Sequence, residues 1–332
     1  MLVSIQTVAT HYPEEKRSID ELAFKTGKSL DWAKEIGIEE VHVSKSGIVT
    51  TDIAVSAAQK ALHRVKIEPQ NVDQLVWISE GINDYLYMDT SKTVIQKLGG
   101  RTDGLIHSYD FHRGSNGTIG FIKLIGNQVL SNPTIDTSLI SSALLWENHS
   151  NRRFLGNTFL GDGAGAIILK EDLGYNQVLS TSQASISEYN MVTCFKHGGT
   201  LNNLSRESVQ SGQFMFDILD ESHLEGILDN VVHSSIKVAK NALSKADLTL
   251  DEIDYVGVAG FHQRYNDSIL EEIKKPRAIV LDSLRTKGYL GSVGIIEVLD
   301  RFLNDESIEK GSTMLAIANG IDINVESMVI RK

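Results

Sequence analysis

Residues 57–77 read AAQKALHRVKIEPQNVDQLVW, and residues 238–258 read VAKNALSKADLTLDEIDYVGV. At an offset of 181 residues, Ala58 meets Ala239, Ala61-Leu62 meets Ala242-Leu243, Ile67 meets Leu248, and Val72-Asp73 meets Ile253-Asp254. Each copy begins as an amphipathic helix, passes an acidic turn and ends as an apolar strand. The first helix spans Thr51 to Val65, and its stripe of Ile53, Ala54, Ala57, Ala58, Ala61 and Leu62 permits close packing. A period this long marks a duplicated domain, because solenoid repeats run roughly 20–50 residues. Chance similarity of two helix–turn–strand units is the competing explanation. Duplication divides the chain into α/β halves, 1–173 and 174–332, whose strand ends meet at a shared interface.

Two polar groups end strands at that interface. Residues 105–111 read as a strand leading to Ser115, and 251–259 as a strand leading to Gly260-Phe261-His262-Gln263. After Ser115, in YDFHRGSNGTIGFIKLIGNQVL (109–130), Ile119, Ile122, Leu124, Ile125 and Val129 predict a helix apolar on most sides and therefore buried. Ser115 then stands at the N-terminal end of that helix, where unpaired N–H groups favour a nucleophile and its oxyanion. Taken alone, the local pattern favours the other role of a serine there, an N-cap. The G-x-S-x-G elbow is not met, since Arg113 occupies its first glycine position.

The remaining pattern fills in the halves. Residues 2–9, 40–45, 72–78, 136–145, 177–187 and 189–195 read as strands, and 314–318 with 324–330 as a hairpin turning at Gly320. Short helices are expected after Ser18 and over 30–37, longer ones over 90–98, 266–274 and 292–303, and a long helical region of one or two helices over 211–246. In TFLGDGAGAIILKE, Gly161, Gly163 and Gly165 alternate along a strand, a sign of close approach by other atoms. No G-K-S/T follows them, so this is not a phosphate loop.

Composition narrows the classes. A net charge of -11 argues against a nucleic-acid binder. With 41% hydrophobic and 23% charged residues, a packed soluble protein is expected. No stretch resembles a signal peptide or a membrane span. The single cysteine, Cys194, precludes an internal disulfide and a multi-cysteine zinc site, and reads as a core residue. A cytoplasmic protein without a metal is expected.

TTDIAVSAAQKAL with IEPQNVDQLVW, LGDGAGAIIL, LTLDEIDYVGVAGFHQRYN and KGYLGSVGIIEVL occur in this order along the chain. Together they resemble the thiolase superfamily, and most of all its ketoacyl synthase III branch. The resemblance implies a duplicated five-layer αβαβα fold and a homodimer, or a heterodimer with a ketosynthase-like subunit. It also implies acyl thioesters of coenzyme A or acyl carrier protein as substrates, with no permanently bound cofactor. Its nucleophile position falls on Ser115, where the family has cysteine, and its histidine on His262. Its asparagine falls on Tyr289, and its C-terminal oxyanion turn on Ala318-Asn319-Gly320, so Ser115 and Gly320 are its backbone oxyanion donors.

These departures change the expected chemistry. A serine hydroxyl needs a base. His262 is the first candidate and His112 an alternative. An acyl-serine ester is less reactive toward carbon than a thioester, so transfer to oxygen or nitrogen, or hydrolysis, is expected rather than condensation. A Ser115→Cys change is expected to give a thiol that ionises more readily. Arg152 and Arg153 are candidates for a coenzyme A or carrier-protein phosphate, or else belong to a solvated loop. The alternative function is a catalytically inactive partner of an active paralogue. Retention of His262-Gln263 and of Gly114-Ser115-Asn116-Gly117 favours the acyltransferase.

Overall fold

The computed structural model describes residues 2–112, 116–147, 149–150, 153–155, 158–189, 192–212, 214–219, 226–274, 283–321 and 324–332. In chain order the elements are β1 (Val3–His11), β2 (Glu15–Ser18), α1 (Ile19–Thr26), α2 (Leu30–Glu35), β3 (Glu40–Val43), α3 (Thr50–Arg64), β4 (Gln74–Ser79), α4 (Thr90–Leu98) and β5 (His107–His112). Then follow α5 (Thr118–Ser131), β6 (Ser138–Leu144), β7 (Phe154–Leu155), β8 (Thr158–Phe159), β9 (Gly163–Glu171), β10 (Gln177–Ser185), β11 (Thr193–Phe195), α6 (Arg206–Gln210) and β12 (Phe216–Ile218). The chain ends with α7 (Ile227–Lys245), β13 (Tyr255–Ala259), α8 (Gln263–Ile273), α9 (Leu284–Lys287), α10 (Gly291–Asn304), β14 (Thr313–Asn319) and β15 (Asn324–Arg331).

The repeated stretch folds twice in the same way. Helices α3 and α7 end at Arg64 and Lys245, 3₁₀ turns occupy Pro69–Asn71 and Leu250–Glu252, and strands start at Gln74 and Tyr255. Between helix and turn, Lys66 (φ 55°) and Asp247 (φ 53°) both adopt the left-handed conformation. The matched aspartates also share a task. Asp73 Oδ2 accepts the Thr137 N–H at 3.0 Å, and Asp254 Oδ2 accepts the Thr313 N–H at 2.8 Å, each fixing the start of a neighbouring strand.

Sheet topology carries the same symmetry. The nine strands run β13-β14-β15-β10-β1-β9-β6-β4-β5. Read outward from the β10–β1 junction, each side shows two antiparallel pairings and then a parallel one, and the β1 side adds a second parallel pairing, β4–β5. The junction itself is only Val3↔Val178 and Ser4↔Gln177, so the sheet is two mirrored sheets joined at a corner. Helices α5 and α10 lie between them in one core with Ile119, Ile122, Ile125, Ile295 and Leu299. Helices α3 and α4 cover the outer face of the first sheet, and α7 and α8 that of the second. This is the expected five-layer αβαβα arrangement.

Three local expectations fail. The stretch 211–246 is not continuously helical: Phe216–Ile218 pairs antiparallel with Thr193–Phe195. Phe216 packs against Trp146 and Phe195, and this aromatic contact with distant residues overrides local helical spacing. Helix α5 is less buried than its sequence suggests, since Leu124 is 44% exposed beside exposed Lys123. Cys194, on the short β11, is half-buried rather than in the core, and burial pushes its thiol pKa up.

Candidate functional site

The turn before α5 is the first half's contribution. Ser115, with Arg113 and Gly114, lies outside the described residues, as does Arg152. The next residue, Asn116, is buried with φ 64°, and its N–H donates to Glu80 Oε1 at 2.8 Å. Glu80 follows β4 and is itself buried. Its Oε1 also accepts the Ser292 N–H at 2.5 Å and the Ser292 hydroxyl. Gly291 is needed there, because a Cβ on it would lie 1.7 Å from Glu80 Oε2. A second buried carboxylate, Glu326 on β15, accepts the Ile119 N–H at 2.9 Å. The two helix N-termini are tied directly by Thr118 Oγ1 donating to Ser292 O at 2.9 Å. The positive end of α5, expected to serve a nucleophile and oxyanion, is therefore already met by two carboxylates from other elements.

The second half's turn has the opposite character. His262 is the N-cap of α8, and its Nδ1 accepts the Arg264 N–H at 3.2 Å. An accepting Nδ1 is unprotonated, so the neutral ring carries its proton on Nε2. Burial, with the positive charge of Arg264, lowers its pKa to about 4. The ring stacks on Tyr265, with centroids 4.9 Å apart. At neutral pH His262 is thus an uncharged Nε2–H donor, which corrects its assignment as the base. It suits a carbonyl oxygen that becomes negative. His112, the alternative base, ends β5 opposite Ser79 and is exposed.

Tyr289 is buried and joins the halves through its backbone. Its N–H donates to Phe159 O at 2.8 Å, and its carbonyl accepts the Gly161 N–H at 3.1 Å. Its ring meets Phe261 edge-on, with centroids 6.2 Å apart, within an apolar cluster. The glycine alternation has the expected cause. A Cβ on Gly161 would lie 1.8 Å from Lys287 O, on Gly163 2.9 Å from Tyr12, and on Gly165 2.7 Å from Ile296. The N–H of Gly320 donates to Asn324 O at 3.0 Å to close the hairpin, so it is not the oxyanion donor expected of it.

Arg153 corrects both readings of its loop. It is 1% exposed, and its guanidinium grips Asp162 with bonds of 2.7 and 2.9 Å and Glu147 with one of 2.8 Å. That leaves it committed inside the protein rather than open to a phosphate. Asp162, within the glycine run, also accepts N–H groups from Ser44 and Trp146. The sequence reading missed it, as it missed Glu80 and Glu326. A carboxylate inside an apolar glycine run was the available signal, since buried charges are paired. Among the described residues, no group of three or more His, Cys, Asp or Glu side chains is placed to hold a metal ion. No helix among them is long and apolar enough to cross a membrane.

Known proteins match this architecture. Residues 243–332 match the family model for 3-oxoacyl-[acyl-carrier-protein] synthase III, C terminal. The β-ketoacyl-[acyl-carrier-protein] synthase III of Wolbachia pipientis wMel is 22% identical over 333 residues, covering 98% of each chain. A 3-oxoacyl-(acyl-carrier-protein) synthase III crystal structure superposes with a TM-score of 0.86 at 16% identity, covering 100% of both chains. A Cys-to-Ser variant of Xanthomonas campestris OleA with bound lauric acid and lauroyl-CoA gives 0.82 at 16% identity, covering 100% of this chain and 99% of that one. Residues 243–332 are thus similar to the synthase III C-terminal domain, and the whole length shares the fold of these structures.

Proposed function

We propose that this chain is an acyltransferase of the ketoacyl synthase III type, which takes an acyl group from a coenzyme A or carrier-protein thioester onto Ser115. Support comes from the family match and from His262, a neutral Nε2–H donor at the end of the second half's strand. That donor is the single observation that carries the reading. It suits the oxygen of a thioester carbonyl under attack. In the step, Ser115 Oγ bonds to the carbonyl carbon, the carbon–sulfur bond breaks, and the thiol leaves. Glu80 is the carboxylate at this turn to take the hydroxyl proton. With three donors already on Oε1 it is a weak base, so slow acylation is expected. The acyl ester then passes to an oxygen or nitrogen acceptor or to water.

The two halves, 1–173 and 174–332, are proposed as the functional units, each supplying one side of the site. A dimer through β5 is part of the reading. This strand ends the sheet and is half-exposed along its length, with Tyr109 outward. Light scattering is expected to give twice the chain mass.

A second reading, an inactive partner of a ketosynthase-like subunit, is favoured by the carboxylates already at the α5 N-terminus. Intact-mass measurement separates the two. The wild-type protein, incubated with a panel of acyl-CoA and acyl-carrier-protein thioesters, is expected to gain one acyl mass that Ser115→Ala does not. No gain with any thioester favours the inactive partner.

A further inference from the structure

Buried polar side chains without partners cluster beside His262. Asn266 on α8 and Asn319 at the end of β14 are both fully buried, and neither amide oxygen nor nitrogen of either has a hydrogen-bond partner. The two amides share one point. A Cβ built on Gly260 would lie 2.1 Å from Asn266 Oδ1, 2.8 Å from Asn319 Oδ1 and 2.9 Å from Asn319 Nδ2. The amides are therefore within about 5 Å of each other, crowding the space that a side chain at Gly260 would fill. Gly260 leads into His262, and Ala259 pairs with Ala318 in the parallel register that brings both strand ends to this place.

Leaving four buried amide atoms unpaired is costly, and such groups in a folded protein call for a reason. A side-chain amide has two N–H donors. Turned toward Asn266 Oδ1, Asn319 has one N–H oriented by its neighbour and one left for a ligand oxygen. We infer that Asn319 is a carbonyl-binding donor, working beside the Nε2–H of His262 on the oxygen of a bound acyl thioester, with Asn266 as its positioning residue. This rests on the acyl-thioester reading above. It supplies the second donor that the Gly320 N–H, bonded to Asn324, does not. Two donors in a dry site contribute most when the oxygen gains charge.

The test uses lauroyl-CoA labelled with carbon-13 at its carbonyl, followed by isotope-edited infrared spectroscopy on the bound complex. In wild-type protein the bound carbonyl is expected at lower frequency than in water. Asn319→Ala is expected to reverse part of that shift with little change in affinity, and Asn266→Ala a smaller part. Acyl transfer in Asn319→Ala is expected to slow about 100-fold. Asn319→Leu, close in shape and apolar, is expected to raise Tm, because the unpaired amide is a burden on the fold. A carbonyl frequency unchanged in Asn319→Ala overturns the inference alone, as does a lowered Tm in Asn319→Leu, which would make the amide structural. Wild-type protein that binds no acyl-CoA overturns the acyl-thioester reading and this inference with it. Protein that binds it without forming an adduct removes only the acylation step, and a carbonyl shift that depends on Asn319 then still supports the inference.

Discussion

The ends of β4 and β13 occupy equivalent places in the two halves, yet they carry opposite chemistry. After β4 comes Glu80, whose carboxylate bridges the Asn116 N–H, just before α5, and the Ser292 N–H in the first turn of α10. After β13 come Phe261 and His262, an aromatic wall and an uncharged donor, with Arg264 beyond. The backbone repeats, down to a left-handed residue three positions before each 3₁₀ turn. The side chains that face the interface do not. The repeat supplies two equivalent strand ends, one followed by a negative, satisfied group and the other by a neutral donor.

Exchanging the donating end's key group is expected to have the largest effect. His262→Ala removes the Nε2–H and should slow acyl transfer by about 100-fold or more while leaving thioester affinity nearly unchanged. Single-turnover mass kinetics check this, and an unaltered rate would place the charge-stabilising group elsewhere. At the satisfied end, Glu80→Ala strands the N–H groups of Asn116 and Ser292 and the Ser292 hydroxyl. It is expected to cost about 3 kcal/mol in urea unfolding, with Glu80→Gln costing less. A neutral Glu80→Ala would mean that the carboxylate does not hold the two helices together.

The comparison also predicts a pH response. The folded pKa of His262, about 4, lies below its ordinary 6.5. Below pH 6.5 the unfolded chain takes up a proton that the folded chain refuses. This residue's share of stability therefore falls as pH drops from 6.5 to 4 and is level below that, a loss of at most about 3 kcal/mol. Urea midpoints from pH 7 to 4.5 should fall more steeply for wild type than for His262→Gln. The same pKa means that acyl transfer should show no inflection near pH 6.5, whereas a general base with an ordinary histidine pKa would produce one.

The smallest effect sharpens the contrast at the first turn. A Ser115→Cys thiol directly precedes Asn116, whose N–H is held by Glu80. Because two carboxylates already meet this helix end, the thiol, though still more readily ionised than a serine hydroxyl, is expected to titrate above about 8.5. Adding Glu80→Gln should lower its pKa. Alkylation rate against pH measures both, and a thiol pKa well below 8.5 with Glu80 intact would show that the helix end still acts as a positive site.

Much of the fold is legible in the sequence because its causes are local or periodic. Gly99 ends α4 with φ 71°, Ser18 caps α1, and the spacing of Gly161, Gly163 and Gly165 announces the close contacts found there. The repeat at residues 57–77 and 238–258 is visible because the same packing demand acts twice on the same pattern. His262 is legible as a site residue, but not its tautomer, which depends on the Arg264 N–H and on burial. The helical reading fails at Phe216–Ile218, because Phe216 finds its partners in Trp146 and Phe195.

The chain's own pattern, then, determined a repeated helix–turn–strand, a largely apolar helix after Ser115 and a polar turn after each of two strands. Tertiary structure alone decided the charge at those turns. Glu80 reaches Asn116 across 36 residues and Ser292 across 212, and Glu326 reaches Ile119 across 207. Asn266 and Asn319 meet only where Gly260 lets two strand ends converge. Such contacts leave no periodic trace, because each partner satisfies its own local rules, and the electrostatics arise only when folding removes water from between them.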